Sequence, residues 1–154
     1  MANERKTEII VREKLRELGY FDDENIIVEE QKSDSIVIDK LLKNASKKWT
    51  WKWYPEFIIR SKENTDFLIV IECKADVKKH KSETLNKYSE YAVDWVLLYW
   101  SFLSKEFDVL SIAVSWESMN ELKVTQLIQL KNWSKYYEYF GSDLLSFDDY
   151  YNSF

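Results

Sequence analysis

Tyr54-Pro55-Glu56-Phe57-Ile58-Ile59 and, seven polar residues further on, Phe67-Leu68-Ile69-Val70-Ile71-Glu72-Cys73-Lys74 decide how this chain is read. Two apolar runs joined by the short polar segment 60–66 predict an antiparallel hairpin. The second run is rich in β-branched residues and nearly continuous in hydrophobicity, the pattern of a central strand covered on both faces. Side chains alternate along a strand, so Glu72 and Lys74 project to one side and Cys73 to the other. Glu56 opens the partner strand, and pairing of the hairpin is expected to bring its carboxylate beside that of Glu72. Adjacent carboxylates repel, and a bound divalent cation is the usual remedy.

Upstream, Val11, Leu15 and Leu18 share one face of a helix predicted from Asn3 to Leu18, with Gly19 as its stop. Ile26–Gln31 reads as a short strand, and Ser35 as the N-cap of a helix running to about Ser46. Downstream, the spacing of Tyr88, Tyr91, Ala92, Trp95, Val96, Leu98, Tyr99 and Phe102 predicts a long helix from Thr84 to Lys105. Val109–Ser115 is then a buried strand, parallel to Phe67–Ile71 if the helix is a right-handed crossover. Lys123–Leu130 is expected to form an edge strand, and the aromatic segment from Tyr136 to Phe154 a C-terminal helix or arm. The alternation implies an α/β sandwich around a mixed sheet, in one domain over 1–154 with a core at about 4–130 and an arm at about 131–154.

With 45% hydrophobic and 32% charged residues, the composition is that of a folded globular chain rather than a disordered one. No apolar run is long enough for a membrane span, the first residues lack a signal-peptide pattern, and Cys73 is the single cysteine. A cytoplasmic location without membrane association is expected. The net charge of −5 argues against coating nucleic acid by charge alone, yet the lysines are clustered. Lys40, Lys43, Lys47, Lys48 and Lys52 precede Glu56, Lys78, Lys79 and Lys81 follow Lys74, and no Lys or Arg occurs after Lys135. The lone histidine, His80, sits in one of these basic stretches and is expected to be solvated, while Cys73 is expected to be a small core residue.

Glu56, Glu72 and the backbone carbonyl of Cys73 form an oxygen donor set suited to Mg²⁺, with Mn²⁺ as a substitute. Lys74 could orient an attacking water and oppose charge building on a phosphate. Pro55-Glu56 followed by Glu72-Cys73-Lys74 after a hydrophobic strand resembles the PD-(D/E)xK nuclease superfamily, with Glu in place of the first Asp. Tyr54–Ile59, Ile71-Glu72-Cys73-Lys74-Ala75-Asp76 and Tyr91-Ala92-Val93-Asp94 are similar to the N-terminal nuclease domain of type I restriction enzyme R subunits, over roughly Thr7 to Ser115. The resemblance implies a restriction-endonuclease-like fold and a Mg²⁺-dependent DNA endonuclease. It further implies an auxiliary acid on the first helix, for which Glu8 is the best match, and a place beside methylase or helicase subunits. The flanking lysines would contact DNA phosphates without base readout. A homodimer would allow double-strand cutting. Alternatives are a DNA-binding module without catalysis and a partner-docking domain of a restriction-modification assembly.

The chain has seven Trp and only two Gly. Trp49, Trp51, Trp53, Trp95 and Trp116 stand where small residues are expected of such relatives, which raises the hypothesis that UGA encodes glycine in the source gene. UGG at these codons would overturn that reading; genuine tryptophans in 49–53 could instead stack on unpaired bases.

Overall fold

The computed structural model describes residues 2–45, 54–87, 90–119 and 121–154. Among them a six-stranded mixed sheet, in the order β1-β2-β3-β4-β5-β6, is flanked by four helices. The elements in chain order are α1 (Ala2–Glu17), β1 (Ile26–Glu30), α2 (Ile36–Ala45), β2 (Phe57–Ser61), β3 (Phe67–Lys74), α3 (Ala92–Leu103), β4 (Asp108–Ser118), β5 (Glu121–Gln129), β6 (Tyr137–Glu138) and α4 (Phe147–Asn152). Strands β2 and β3 form the expected antiparallel hairpin, and β3 runs parallel to β4 across the α3 crossover. No described helix is long and apolar enough to cross a membrane.

Alternation along β3 divides the interior. Ile69, Ile71 and Cys73 join Val11 and Leu15 of α1 in one core, while Leu68 and Val70 join Ile38 and Leu42 of α2 and Trp95, Tyr99 and Leu103 of α3 in another. Cys73 is therefore a buried core thiol, as its parity predicts, and burial pushes its pKa up. The Ser35 hydroxyl accepts from the Ile38 amide at 3.3 Å and caps α2.

Three expectations are corrected. The long helix begins at Ala92 rather than Thr84. Asp94, fully buried, accepts from the amides of Ser82 (3.1 Å) and Lys87 (2.9 Å) and from the Ser82 hydroxyl, so its carboxylate organises the preceding residues as a loop. The β5 strand is not the last in the sheet, because Tyr137 and Glu138 pair with Ile128 and Leu127. His80 is 2% exposed rather than solvated, and both ring nitrogens are hydrogen-bonded to hydroxyls. The C-terminal segment contributes to the first core: Phe147 and Tyr150 are buried, and Phe67 meets the rings of Phe147, Tyr151 and Phe154 at 5.5, 5.8 and 4.7 Å.

Trp49, Trp51 and Trp53 lie outside the described residues. Trp95 packs on Tyr99 at 5.2 Å, and the Trp116 indole donates to the Met119 carbonyl at 2.6 Å. No described tryptophan has the positive φ that would call for glycine.

The Asp94→Ala substitution leaves the buried Ser82 amide, the Lys87 amide and the Ser82 hydroxyl without their acceptor. It is expected to lower stability by about 3 kcal/mol, read as an earlier denaturant midpoint at unchanged slope.

Candidate active site

The β2–β3 register pairs Phe57 with Ile71; Glu56 and Glu72 are the next residues outward on the two chains, and Glu56 lies close enough to act on the Glu72 carboxyl. Both carboxylates are withdrawn from water, at 7% and 4% exposure. Lys74 follows two residues after Glu72 on the same face, its side chain largely covered. Its ammonium lies 4.0 Å from Glu4 and 6.0 Å from the Trp95 ring centre.

Helix α1 supplies the third side. The buried Thr7 hydroxyl donates to the Lys74 carbonyl at 3.0 Å, pinning the helix to the end of β3. Glu8, one residue on, is 8% exposed, paired with Arg5 at 3.5 Å and within hydrogen-bonding reach of Glu56. Gln31, just past β1, closes the remaining side. Its side-chain amide donates to Glu56 Oε1 at 2.9 Å and its main-chain amide to the Glu56 carbonyl at 3.2 Å. Gln31 adopts a φ of 55°, a left-handed conformation uncommon outside glycine and asparagine. Thr7 and Gln31 were not singled out in the sequence. In the sequence Gln31 reads only as the last residue of a strand, and its approach to Glu56 depends on how β1 pairs.

The electrostatics follow from this crowding. Burial, then the hydrogen bond and negative charge of Glu8, push the Glu56 carboxyl from 4.5 up to about 7, against the opposing bond from Gln31. Burial also raises the Glu72 carboxyl well above the usual range; Lys74 opposes this, and Glu56, Glu4 and Glu8 reinforce it. Glu72 Oε2 is buried and has no hydrogen-bond partner among the described residues. A hard cation would answer both features, the repulsion and the orphaned oxygen. Among the described residues no three His, Cys, Asp or Glu side chains converge as a complete metal-holding group. Two carboxylates and a main-chain carbonyl nevertheless suit Mg²⁺, which usually keeps several waters and binds through one or two carboxylates.

The structure thus brings together Glu8, Glu56, Glu72 and Lys74. Of the lysines expected to contact DNA, Lys78, Lys79 and Lys81 are exposed on the segment leaving β3. Lys43 pairs with Asp39 at 3.5 Å. Lys40 is not brought to the carboxylates: it lines a cavity with Glu106, beyond the C-terminal end of α3, whereas Lys74 meets Trp95 in the first turn of that helix. Lys47, Lys48 and Lys52 lie outside the described residues. Asp94 is committed to Ser82 and Lys87 and takes no part in the cluster. Compared with protein-family models, curated proteins and solved structures, the chain matches none of them.

A carboxyl whose folded-state acidity is shifted from 4.5 to about 7 binds a proton that the unfolded chain has already released in that window. Without divalent metal, Glu56 is therefore expected to make stability fall as pH rises from about 5 to about 7, by on the order of 2 kcal/mol, while the buried neutral His80, held at about 4, works in the opposite direction up to about 6.5. Thermal melts compared at each pH should show this decline as a difference between wild type and Glu56→Gln, and should show that difference reduced by Mg²⁺ or Mn²⁺. The same pH dependence of melting in metal-free wild type and Glu56→Gln would contradict the assignment.

Proposed function

We propose that this chain is a Mg²⁺-dependent DNA endonuclease of the restriction type, on a restriction-endonuclease-like sandwich. The observation that carries the reading is the pair of buried, neighbouring carboxylates, Glu56 and Glu72, beside Lys74, with one Glu72 oxygen unpartnered among the described residues. The element order and the resemblance of Pro55-Glu56 and Glu72-Cys73-Lys74 to PD-(D/E)xK nucleases support it.

Glu56, Glu72 and the Cys73 carbonyl would hold Mg²⁺, with Mn²⁺ as a substitute. When bound, the ion supplies charge neutralisation and Lewis-acid polarisation at the scissile phosphate. Lys74, whose ammonium lies near Glu4 and the Trp95 ring, orients the attacking water and opposes the charge that builds on phosphorus. Glu8 tunes Glu56 across their shared contact and is the auxiliary acid of the site. Gln31 holds one Glu56 oxygen and thereby fixes the direction of the other. Hydrolysis adds water across one P–O bond, leaving a phosphate on one end and a hydroxyl on the other. The lysines contact the backbone without reading bases, so target choice falls to a partner.

A second reading, docking within a restriction-modification assembly, has one observation in its favour. Trp133, Tyr137 and Tyr139 stay 51%, 51% and 56% exposed in and around the β6 edge. Co-elution of Glu72→Ala with a methylase or helicase subunit would support that role without catalysis.

Supercoiled plasmid incubated with Mg²⁺ or Mn²⁺ is expected to be nicked or linearised. Lys74→Ala should slow cleavage by about 10²–10³-fold, and EDTA should abolish it. Intact plasmid with the folded wild type would overturn self-sufficient catalysis.

A further inference from the structure

The sheet extends the site beyond β3. Register aligns Lys74 of β3 with Ser115 of β4, and Ser115 with Lys123 of β5. Aligned residues project to the same face, so Lys74, Ser115 and Lys123 form a row across three strands at one end of the sheet. Thr125, two residues after Lys123, shares that face. The segment leaving β3 turns back over this row. Asp76 caps its 3-10 turn, Val77–Lys79, by accepting from the Lys78 amide at 2.9 Å.

His80 then points inward, its Nδ1 at 2.8 Å from the Ser115 hydroxyl and its Nε2 at 2.7 Å from the Thr125 hydroxyl. Its carbonyl accepts from the Val93 amide at 2.8 Å, and Ser82 is tied to Asp94. The segment is thus anchored to β4, β5 and α3, while Lys78, Lys79 and Lys81 remain exposed on its outer side.

We propose that His80 is a positioning residue that clamps the 76–82 segment onto β4 and β5, making Lys78, Lys79, Lys81 and Lys123 a preformed track for a polynucleotide backbone leading away from Lys74. The inference rests on the nuclease reading and deepens it: it gives the phosphate path a direction, from β3 toward β5, and adds Lys123, which lies in no lysine cluster of the sequence. Burying a histidine between two hydroxyls costs desolvation, and an apolar side chain would serve packing as well. What the imidazole adds is two directed bonds that fix the segment in one place. Burial and the charges of Lys123 and Lys81 hold its pKa at about 4, so the ring stays a neutral bridge in the working range.

The test is binding of a short DNA duplex without Mg²⁺ across a range of salt. Each lost phosphate contact lowers the slope of log K against log salt by about 0.9. Lys123→Ala, an exposed substitution, should reduce the slope by about one. His80→Leu should reduce it by about two or more, with Mn²⁺-induced thermal stabilisation retained because Glu56 and Glu72 are untouched. His80→Gln, which can still reach a hydroxyl, should recover part of the loss. Unchanged slopes in folded Lys123→Ala and His80→Leu, with normal wild-type binding, would overturn the track and leave the nuclease reading standing. A wild type that neither binds duplex nor cuts plasmid would overturn both. If His80→Leu does not fold, amide exchange in the wild type decides: protection at Lys78, Lys79 and Ser82 is expected, and rapid exchange there would overturn the clamp.

Discussion

Strand β3 has no solvent face, and the rest of the molecule is arranged around that constraint. Its seven residues from Phe67 to Cys73 are buried, so each face needs its own cover, α1 and the C-terminal segment on one side and α2 and α3 on the other. Both faces are apolar until the strand nears its end, where alternation delivers Glu72 instead of another aliphatic residue. A carboxylate in that position inherits the dryness of the core before it has any partner. Glu56 receives the same treatment from the opposing strand. The perturbed acidity of the site thus follows from the packing of the strand; no separate pocket is required.

That arrangement works against stability. Four acidic residues, Glu4, Glu8, Glu56 and Glu72, act on one another around the covered Lys74 ammonium, and the fold tolerates their repulsion by favouring protonated forms of Glu56 and Glu72. Such crowding persists where surrounding structure over-determines it. Here the over-determination comes from the Thr7 hydroxyl on β3, the Gln31 amides on Glu56 and the register of the hairpin. Strand pairing and hydrogen bonding hold together groups that electrostatics would separate.

Much of this frame was legible in the sequence because it rests on periodicity. The apolar face of α1, the hairpin and the inward Cys73 follow from spacing, and the parallel β3–β4 pair from the crossover rule applied to the helix between them. Glu56 and Glu72 could be related because a hairpin converts sequence distance into register. What escaped the reading depends on contacts between segments far apart in the chain. The aromatic periodicity of 84–105 was real, but the buried Asp94 binds the loop before α3 and delays the helix to Ala92. His80 has no polar pattern that announces burial; Ser115 and Thr125, some 35 and 45 residues later, make it a core residue. Gln31 and Lys123 gain their places only through strand pairing.

The closing of the α1 face has a consequence for the order of assembly. Its core contains Val11 and Leu15 but also Phe147 and Tyr150, and the Tyr20 hydroxyl reaches the Leu145 carbonyl at 2.7 Å. Loop closure over such separations must precede any reward from packing, which slows folding relative to chains dominated by local contacts. On the ribosome, the sheet can gather its α2 and α3 cover while the opposite face still waits for residues 147–150. Helix α1, which carries Glu8 and fixes β3 through Thr7, then has only part of its core to dock against. Completion of the acidic cluster is thereby coupled to synthesis of the C-terminal segment, and a nascent chain lacking it holds the carboxylates of β2 and β3 without the helix firmly seated.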